Sequence, residues 1–386
     1  MELRKNIHFV LFAVLLSLMK EGIRKGGYAF RIKRGGIIDA EERSIVMKKQ
    51  IVSAIISAVM ALTLLAGCGG SSSGSSGSAA PAADASDKGS ENKYEMAYVL
   101  STRDEFLGLL EGEVLAAAEE KGVGMESLYA GEDSSKLIDC VAAARNSGKD
   151  AVLINLNAAE DAQACIEAAG DMKVVFINRV PADYGVLGDS AAAVASDEHF
   201  SGKYQGEFLA DYFKKAGKTD VSYVLLRGTE GLVHTDLRTD GALNAMKDAG
   251  INLTEAKVIH ANYNRVTARD NMADFLDDDV AFDCIISNND AMALGAIAAL
   301  KENGSEINVP IVGIDATEDG KDAVKNGEMA MTVFQDAGGQ ASASVQAAIN
   351  MLEGKDLAAD TGCDVASDSP YVLYFPWAPV TADDLK

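Results

Sequence analysis

Two stretches, "DAVLINL" at residues 150–156 and "KVVFINR" at residues 173–179, constrain the fold most. Each is apolar on consecutive residues, not on every second one. A strand with one wet face alternates, whereas a near-continuous apolar run marks a parallel strand covered on both faces. Residues 158–169 form the helix between the two runs, which makes one β-α-β unit.

The unit recurs. Upstream, "YEMAYVL" is strand-like, Phe106 to Lys121 has helical periodicity, "MESLYA" is a second strand and Lys136 to Ser147 a second helix. Downstream, a helix over Asp197 to Lys215 leads to "VSYVLLRG", which opens a second series. That series runs through a helix at Thr235 to Ala249, "AKVIHA", a helix at Thr267 to Leu276, "DCIISN", a helix at Ala291 to Asn303, "VPIVGID" and a helix at Thr317 to Asn326. This predicts α/β architecture with parallel sheets. Two sets of the unit fit two Rossmann-like lobes better than a single sheet of about a dozen strands.

In open α/β sheets a ligand sits beyond the carboxyl ends of the strands. Several strands end there in polar residues: Asn178-Arg179, Asn288-Asn289-Asp290, Asp315 and Gln335-Asp336, while "YVLLRGTEG" runs into a glycine-containing loop. A single polar strand end often just caps the next helix, and Asp290 and Asp336 fit that plain role. Several at one face suggest a polar pocket.

The N-terminus reads as targeting. From Met47, "MKKQIVSAIISAVMALTLLAGCGGSSSGSSGS" has a basic start, an apolar run too short to span comfortably, the lipobox-like Leu65-Ala66-Gly67-Cys68 and a Gly/Ser tether. The expectation is a lipoprotein signal over 47–67, lipidation at Cys68 and a tether over 68–93. Because a complete signal starts at Met47, residues 1–46 read as an upstream extension from a misassigned start. A genuine cytoplasmic or membrane extension is the alternative.

Charge and motifs narrow the function. Residues 1–67 hold 11 basic and 5 acidic residues, so the remainder carries 24 basic against 53 acidic ones. Sequence-independent nucleic-acid binding needs a positive surface, and this balance opposes it. It equally opposes attraction to anionic lipid. No G-x-G-x-x-G follows a strand, and no Walker A or H-E-x-x-H motif occurs; "GSSSG" lies in the tether, without the strand–turn–helix a nucleophile elbow needs. With 4 histidines in all, metal or triad chemistry has little to work with. Cys140, Cys165, Cys284 and Cys363 show no metal spacing. The first three sit in apolar contexts as buried thiols, and any disulfide pairing stays open.

The segments "VVFINRVP", "VLLRGTEG", "SNNDAMALGAIAALKENG", "VPIVGIDATEDGKDAVKNGEMAMTVFQD" and "QASASVQAAINMLEGK" resemble the type I periplasmic sugar-binding proteins, closest to the galactose/glucose-binding branch. The resemblance spans about residues 94–386 and keeps its motifs in order. It implies two lobes joined by a three-strand hinge, with a sugar clamped between them for delivery to an ABC permease. It also implies ligand roles. Asp104 and Phe106 match a sugar-binding carboxylate and a ring-stacking aromatic. Asn178 matches a hydroxyl ligand of the first lobe and Arg238 a guanidinium donor. Tyr263 stands where the galactose binder has a stacking tryptophan. Asn289 and Asp315 match hydroxyl ligands of the second lobe, and Gln335 a polar ligand near the hinge. Sugar hydroxyls both donate and accept, so carboxylate, amide and guanidinium groups together satisfy them, while aromatic faces cover the C–H face of the ring.

Three departures bear on the ligand. Leu232 and His234 stand where the galactose binder has a contacting histidine and aspartate, and "KKAGKTD" is too short for that branch's calcium loop. His234 is retained as a candidate ligand, no metal or cofactor is expected, and galactose itself is in doubt.

The expected organisation is a first lobe over 94–196 plus 335–356 and a second over 197–334 plus 357–386. The expected function is an extracytoplasmic, lipid-anchored, monomeric sugar-binding protein serving an ABC permease and its ATPase, with no enzymatic activity. A sugar-sensing module that presents its ligand to a membrane receptor or histidine kinase is the alternative. An enzyme acting on sugars, or a cytoplasmic repressor of this fold, fits less well, the latter because of the lipobox.

Overall fold

The computed structural model describes residues 92–386. The expectations for the signal segment, Cys68 and nearly all of the tether lie outside the described residues.

The first half runs β1 (Tyr94–Leu100), α1 (Glu105–Glu120), β2 (Val123–Tyr129), α2 (Ser134–Asn146), β3 (Ala151–Ile154), α3 (Ala162–Ala169), β4 (Lys173–Ile177) and β5 (Ala191–Ala195). The second half runs α4 (Glu198–Lys215), β6 (Asp220–Arg227), α5 (Val233–Asp248), β7 (Asn252–His260), α6 (Arg265–Leu276), β8 (Cys284–Ser287), α7 (Asp290–Glu302), β9 (Ile311–Val312), α8 (Glu318–Lys325) and β10 (Thr332–Phe334). The chain closes with α9 (Ala337–Glu353), β11 (Asp364–Val365), β12 (Val372–Tyr374) and β13 (Ala378–Val380).

Two sheets result. The first is 7-stranded, in the order β11-β12-β5-β4-β3-β1-β2, parallel except for β11. The second has the parallel order β7-β6-β8-β9 and continues through parallel bridges to β10, which β13 flanks antiparallel. Its strands, and β1 to β5 of the first sheet, follow one doubly wound pattern, with a switch point between first and third strands where loops diverge and leave a crevice. The apolar runs are buried as expected: Val152 to Ile154 and Val174 to Ile177 are almost inaccessible to solvent. Each sheet carries apolar clusters on both of its faces.

The chain passes between the lobes after β5, after β10 and after β12, which makes the three-strand hinge. The last crossing corrects the expected boundary. The 357–386 segment does not belong wholly to the second lobe, because Val372–Tyr374 pairs in parallel with Ala193–Ala195 of the first sheet. Only the end of the chain joins the second lobe, where β13 pairs with β10. Strand β5, "AAAVA", is also absent from the sequence expectation. Alanine has little strand preference, and β5 is a strand because β4 and β12 bond it on both sides and bury it.

The short polar residues at strand ends cap helices. Asp104 accepts from Leu107 N, Asp197 from His199 N, Asn264 from Thr267 N and Asp336 from Gly339 N. Helices α4 and α5 pack backbone to backbone, since a Cβ at Gly202 would lie 1.9 Å from the Arg238 carbonyl oxygen. That close approach brings Glu198, at the start of α4, within reach of the Arg238 side chain.

Candidate functional site

All nine candidate residues line one small cavity between the lobes, of about 30 Å³. The first lobe supplies Asp104 and Phe106 at the start of α1 and Asn178 after β4. The second lobe supplies His234 and Arg238 on α5, Tyr263 before α6, Asn289 before α7 and Asp315 after β9. Gln335 sits on the hinge strand after β10. Three of them hold positive φ, at 69° for Asn178, 60° for Tyr263 and 116° for Asp315. For non-glycine residues these conformations cost roughly 1–3 kcal/mol each, and they tend to concentrate where function holds the backbone off its preferred path.

Arg238 is the centre of the polar network. It is buried, and its Nε and Nη2 donate to the two carboxylate oxygens of Glu198 at 3.0 and 2.7 Å. Nη1 donates to Asn288 O at 2.9 Å and lies 3.8 Å from Asp315 Oδ1, while Nη2 also donates to Gln335 Oε1 at 3.2 Å. Its guanidinium carbon stands 5.6 Å from the centre of the Trp377 ring. Burial by itself would lower its pKa, but the Glu198 pair outweighs burial and holds it above the ordinary value. Burial pushes Asp315 well above the usual carboxylate range, against the pull of Arg238. Burial raises Asp104 too, opposed by the Leu107 amide and by Arg179 and Arg238.

Tyr263 is buried and lines the cavity. Its hydroxyl pairs with Thr235 Oγ1 at 2.7 Å, and burial pushes its pKa to about 12. His234 lies in the first turn of α5 and stacks on Tyr263 with ring centres 5.7 Å apart. Burial, with Arg179 and Arg238 nearby, holds its pKa well below the ordinary value, so the ring is neutral at pH 7. Phe106 belongs to the first-lobe core and also reaches the cavity.

The Asn288-Asn289-Asp290 triplet divides its work differently from expectation. Asn289 caps α7 by accepting from Met292 N at 3.0 Å and lines the cavity as well. Asp290 does not cap; it is the first residue of α7 and fully buried. Its carboxylate accepts from Thr332 Oγ1 at 2.6 Å and from Thr317 N at 3.0 Å, which braces the turn carrying Asp315. Asn288 accepts from Gly228 N at 3.0 Å and donates to Thr239 Oγ1 at 3.2 Å.

Arg179 and Glu198 escaped the sequence reading. Arg179 lines the cavity beside Asn178, and its Nη1 donates to Ser101 Oγ at 3.0 Å and Leu156 O at 2.8 Å. Its signal was present in "VVFINR", where a charged residue ends a buried strand. Glu198 is legible only once α4 and α5 are known to touch. Outside the cavity the lobes meet at an ion-pair cluster. Arg265 donates to both carboxylate oxygens of Glu105, at 2.8 and 2.6 Å, and to Asp319 at 2.9 Å.

Among the described residues, no group of three or more His, Cys, Asp or Glu could hold a metal ion. The four cysteines described are free thiols; Cys165 and Cys284 are buried, while Cys140, expected buried, is only half-buried.

The arrangement has counterparts. Residues 97–356 match the profile of the periplasmic binding protein domain. A provisionally named rhizopine-binding protein of Rhizobium meliloti is 33% identical over 217 residues, covering 54% of this chain and 68% of that protein. The D-galactose/methyl-galactoside binding periplasmic protein of Haemophilus influenzae is 30% identical over 297 residues, covering 73% of this chain and 87% of that protein. Among solved structures, an ABC transporter solute binding protein from Bacillus halodurans with bound myo-inositol superposes with a TM-score of 0.67 at 25% identity. The match covers 77% of this chain and 97% of that one. These relatives are binding proteins, not enzymes. With two doubly wound lobes meeting at one polar cavity, and with matches that run through both of them, this chain belongs to the periplasmic binding protein family.

Proposed function

We propose that the chain is the extracytoplasmic substrate-binding lipoprotein of a sugar ABC importer, monomeric and anchored through lipidated Cys68. It binds one neutral monosaccharide by closing its two lobes. The convergence of Asp104, Phe106, Asn178, His234, Arg238, Tyr263, Asn289, Asp315 and Gln335 on one interlobe cavity carries this reading. The cavity offers carboxylates, amides, a guanidinium and two aromatic rings, the set a polyhydroxylated ring requires. The guanidinium of Arg238 is offset by Glu198 and that of Arg179 faces Asp104, so no surplus positive charge awaits an anion. At about 30 Å³ the cavity is too small for a sugar ring, since small-molecule pockets run to roughly 300–1,000 Å³. A sugar ring therefore enters while the lobes stand further apart, and closure exchanges its water for protein hydrogen bonds.

A galactose- or glucose-like pyranose is the first reading of the ligand, supported by the relative that binds D-galactose and methyl-galactoside. A cyclitol is the second, favoured by the myo-inositol-bound neighbour and by neutral His234, which stands where the galactose branch has an aspartate. Thermal-shift screening against D-galactose, D-glucose, D-ribose and myo-inositol tests both. A ligand at 100 times its Kd stabilises by about 2.7 kcal/mol, a clear rise in Tm. No rise with any of the four would refute the reading.

A further inference from the structure

Arg238 is held from all three crossings between the lobes. Glu198, at the start of the helix that follows the first crossing, accepts from its Nε and Nη2. Gln335, on the second crossing, accepts from Nη2. Trp377, on the third, lays its ring against the guanidinium, with the guanidinium carbon 5.6 Å from the ring centre. Trp377 is itself fixed. Its side chain is buried in the second-lobe core, and its Nε1 donates to Asp197 O on the first crossing at 2.8 Å.

The two kinds of contact do different work. A guanidinium is planar, with five N–H donors and no acceptor. Hydrogen bonds pin it within its plane, whereas an aromatic face holds the plane itself. Among the described residues, Glu198, Asn288 and Gln335 take four of the donors of Arg238, which leaves one N–H of Nη1 for the cavity it lines. Because Arg238 can only donate, Gln335 turns Oε1 toward it. The Gln335 Nε2 is then buried with no partner among the described residues, on a side chain that lines the same cavity. The tilt of the Arg238 plane therefore sets where two ligand-facing donors stand. Trp377 does not line the cavity.

We propose that Trp377 is a positioning residue for ligand binding. Its ring face fixes the Arg238 guanidinium, and through it the Gln335 amide, so that Nη1 and Nε2 present their free N–H groups to acceptor oxygens of the ligand. This rests on the interlobe cavity being the ring site.

Two substitutions separate the ring face from the indole donor. Trp377→Phe keeps a face and loses the bond to Asp197; Trp377→Leu loses both. Calorimetric titration of the mature chain with D-galactose, D-glucose, D-ribose and myo-inositol gives the affinities, and urea unfolding without ligand gives the stabilities. Both variants should unfold at lower urea than wild type. Trp377→Leu should bind the recognised ligand about tenfold more weakly, the loss of one desolvated cation–π contact, while Trp377→Phe stays within about threefold of wild type. Wild-type affinity in Trp377→Leu overturns the proposal and leaves the ring site standing. So does a loss in Trp377→Phe as large as in Trp377→Leu, which would trace the effect to the Asp197 bond. If Trp377→Leu does not fold, wild type decides, because Trp377 is the single tryptophan. Saturating ligand should change its emission and its quenching by acrylamide as Arg238 takes up the ligand. Unchanged emission and quenching, with binding seen by calorimetry, overturn the proposal. Binding of none of the four by wild type brings down the ring site and this proposal together.

Discussion

Glu105→Gln tests whether the ion-pair cluster at the cleft mouth sets the balance between open and closed lobes. Glu105 belongs to α1 of the first lobe, and Arg265 and Asp319 to the second, so the Arg265–Glu105 pair exists only when the lobes meet, while Arg265–Asp319 lies within the second lobe. Its Arg265–Glu105 contact is bidentate, at 2.8 and 2.6 Å, the strong geometry for a guanidinium and a carboxylate. The side chains of Arg265 and Glu105 are 34% and 41% exposed, however, so solvent screens them and the pair contributes at the upper end of surface values, about 1 kcal/mol. Glutamine keeps the size and one acceptor but removes the charge. Losing about 1 kcal/mol from the closed form lowers the closed-to-open ratio about fivefold, and ligand affinity falls by the same factor when the free protein is mostly open. The loss should appear mainly as faster ligand release. Stopped-flow fluorescence of Trp377, the single tryptophan, placed beside Arg238, is the assay. Near 1 M salt the Debye length drops to about 3 Å, and the gap between wild type and variant should narrow. An unchanged Kd and release rate at low salt would refute the reasoning, as would a gap indifferent to salt.

Other consequences follow from the same geometry. Glu198→Ala leaves the buried Arg238 guanidinium without its carboxylate and should lower stability by about 3–5 kcal/mol in urea unfolding; a loss under about 1 kcal/mol would contradict a buried pair. Asp290 is raised by burial to about 7, so its contribution to stability is complete below the unfolded pKa near 4 and is lost as pH rises through about 7. Asp290→Asn should therefore flatten the fall in stability between about pH 4 and 7, leaving the part due to Asp315; an unchanged slope in a pH series of unfolding curves would argue against it. Cys68→Ala should move the expressed chain from the detergent-soluble membrane fraction to the soluble one, and unchanged membrane association would exclude that cysteine as the anchor.

The parallel sheets were legible because strands covered on both faces must be continuously apolar, as in Val152 to Ile154 and Val174 to Ile177. Strand β5 was not, because five small residues carry no such signature and its pairing comes from strands distant in the chain. The same holds for β12, whose place in the first sheet depends on Ala193–Ala195 and not on its own three residues. The polar strand ends marked the cavity, but not each residue's task. Asn289 and Asp290 differ by one position at a helix start, and only the turn at Thr317 and the strand at Thr332 make Asp290 a brace instead of a cap. Glu198 pairs with Arg238 across two helices that meet through Gly202, a long-range contact with no local pattern.

The central claim is that one ligand is gripped from both lobes. Calorimetric titration of the recognised sugar or cyclitol against wild type, Asn178→Ala and Asp315→Ala tests it most directly, because Asn178 lies on the first lobe and Asp315 on the second. Each substitution removes one or more hydrogen bonds to a ring hydroxyl, worth about 1–3 kcal/mol, and should weaken binding about fivefold to more than a hundredfold. Wild-type affinity in either variant would show that the ligand is held by one lobe alone and would contradict the claim.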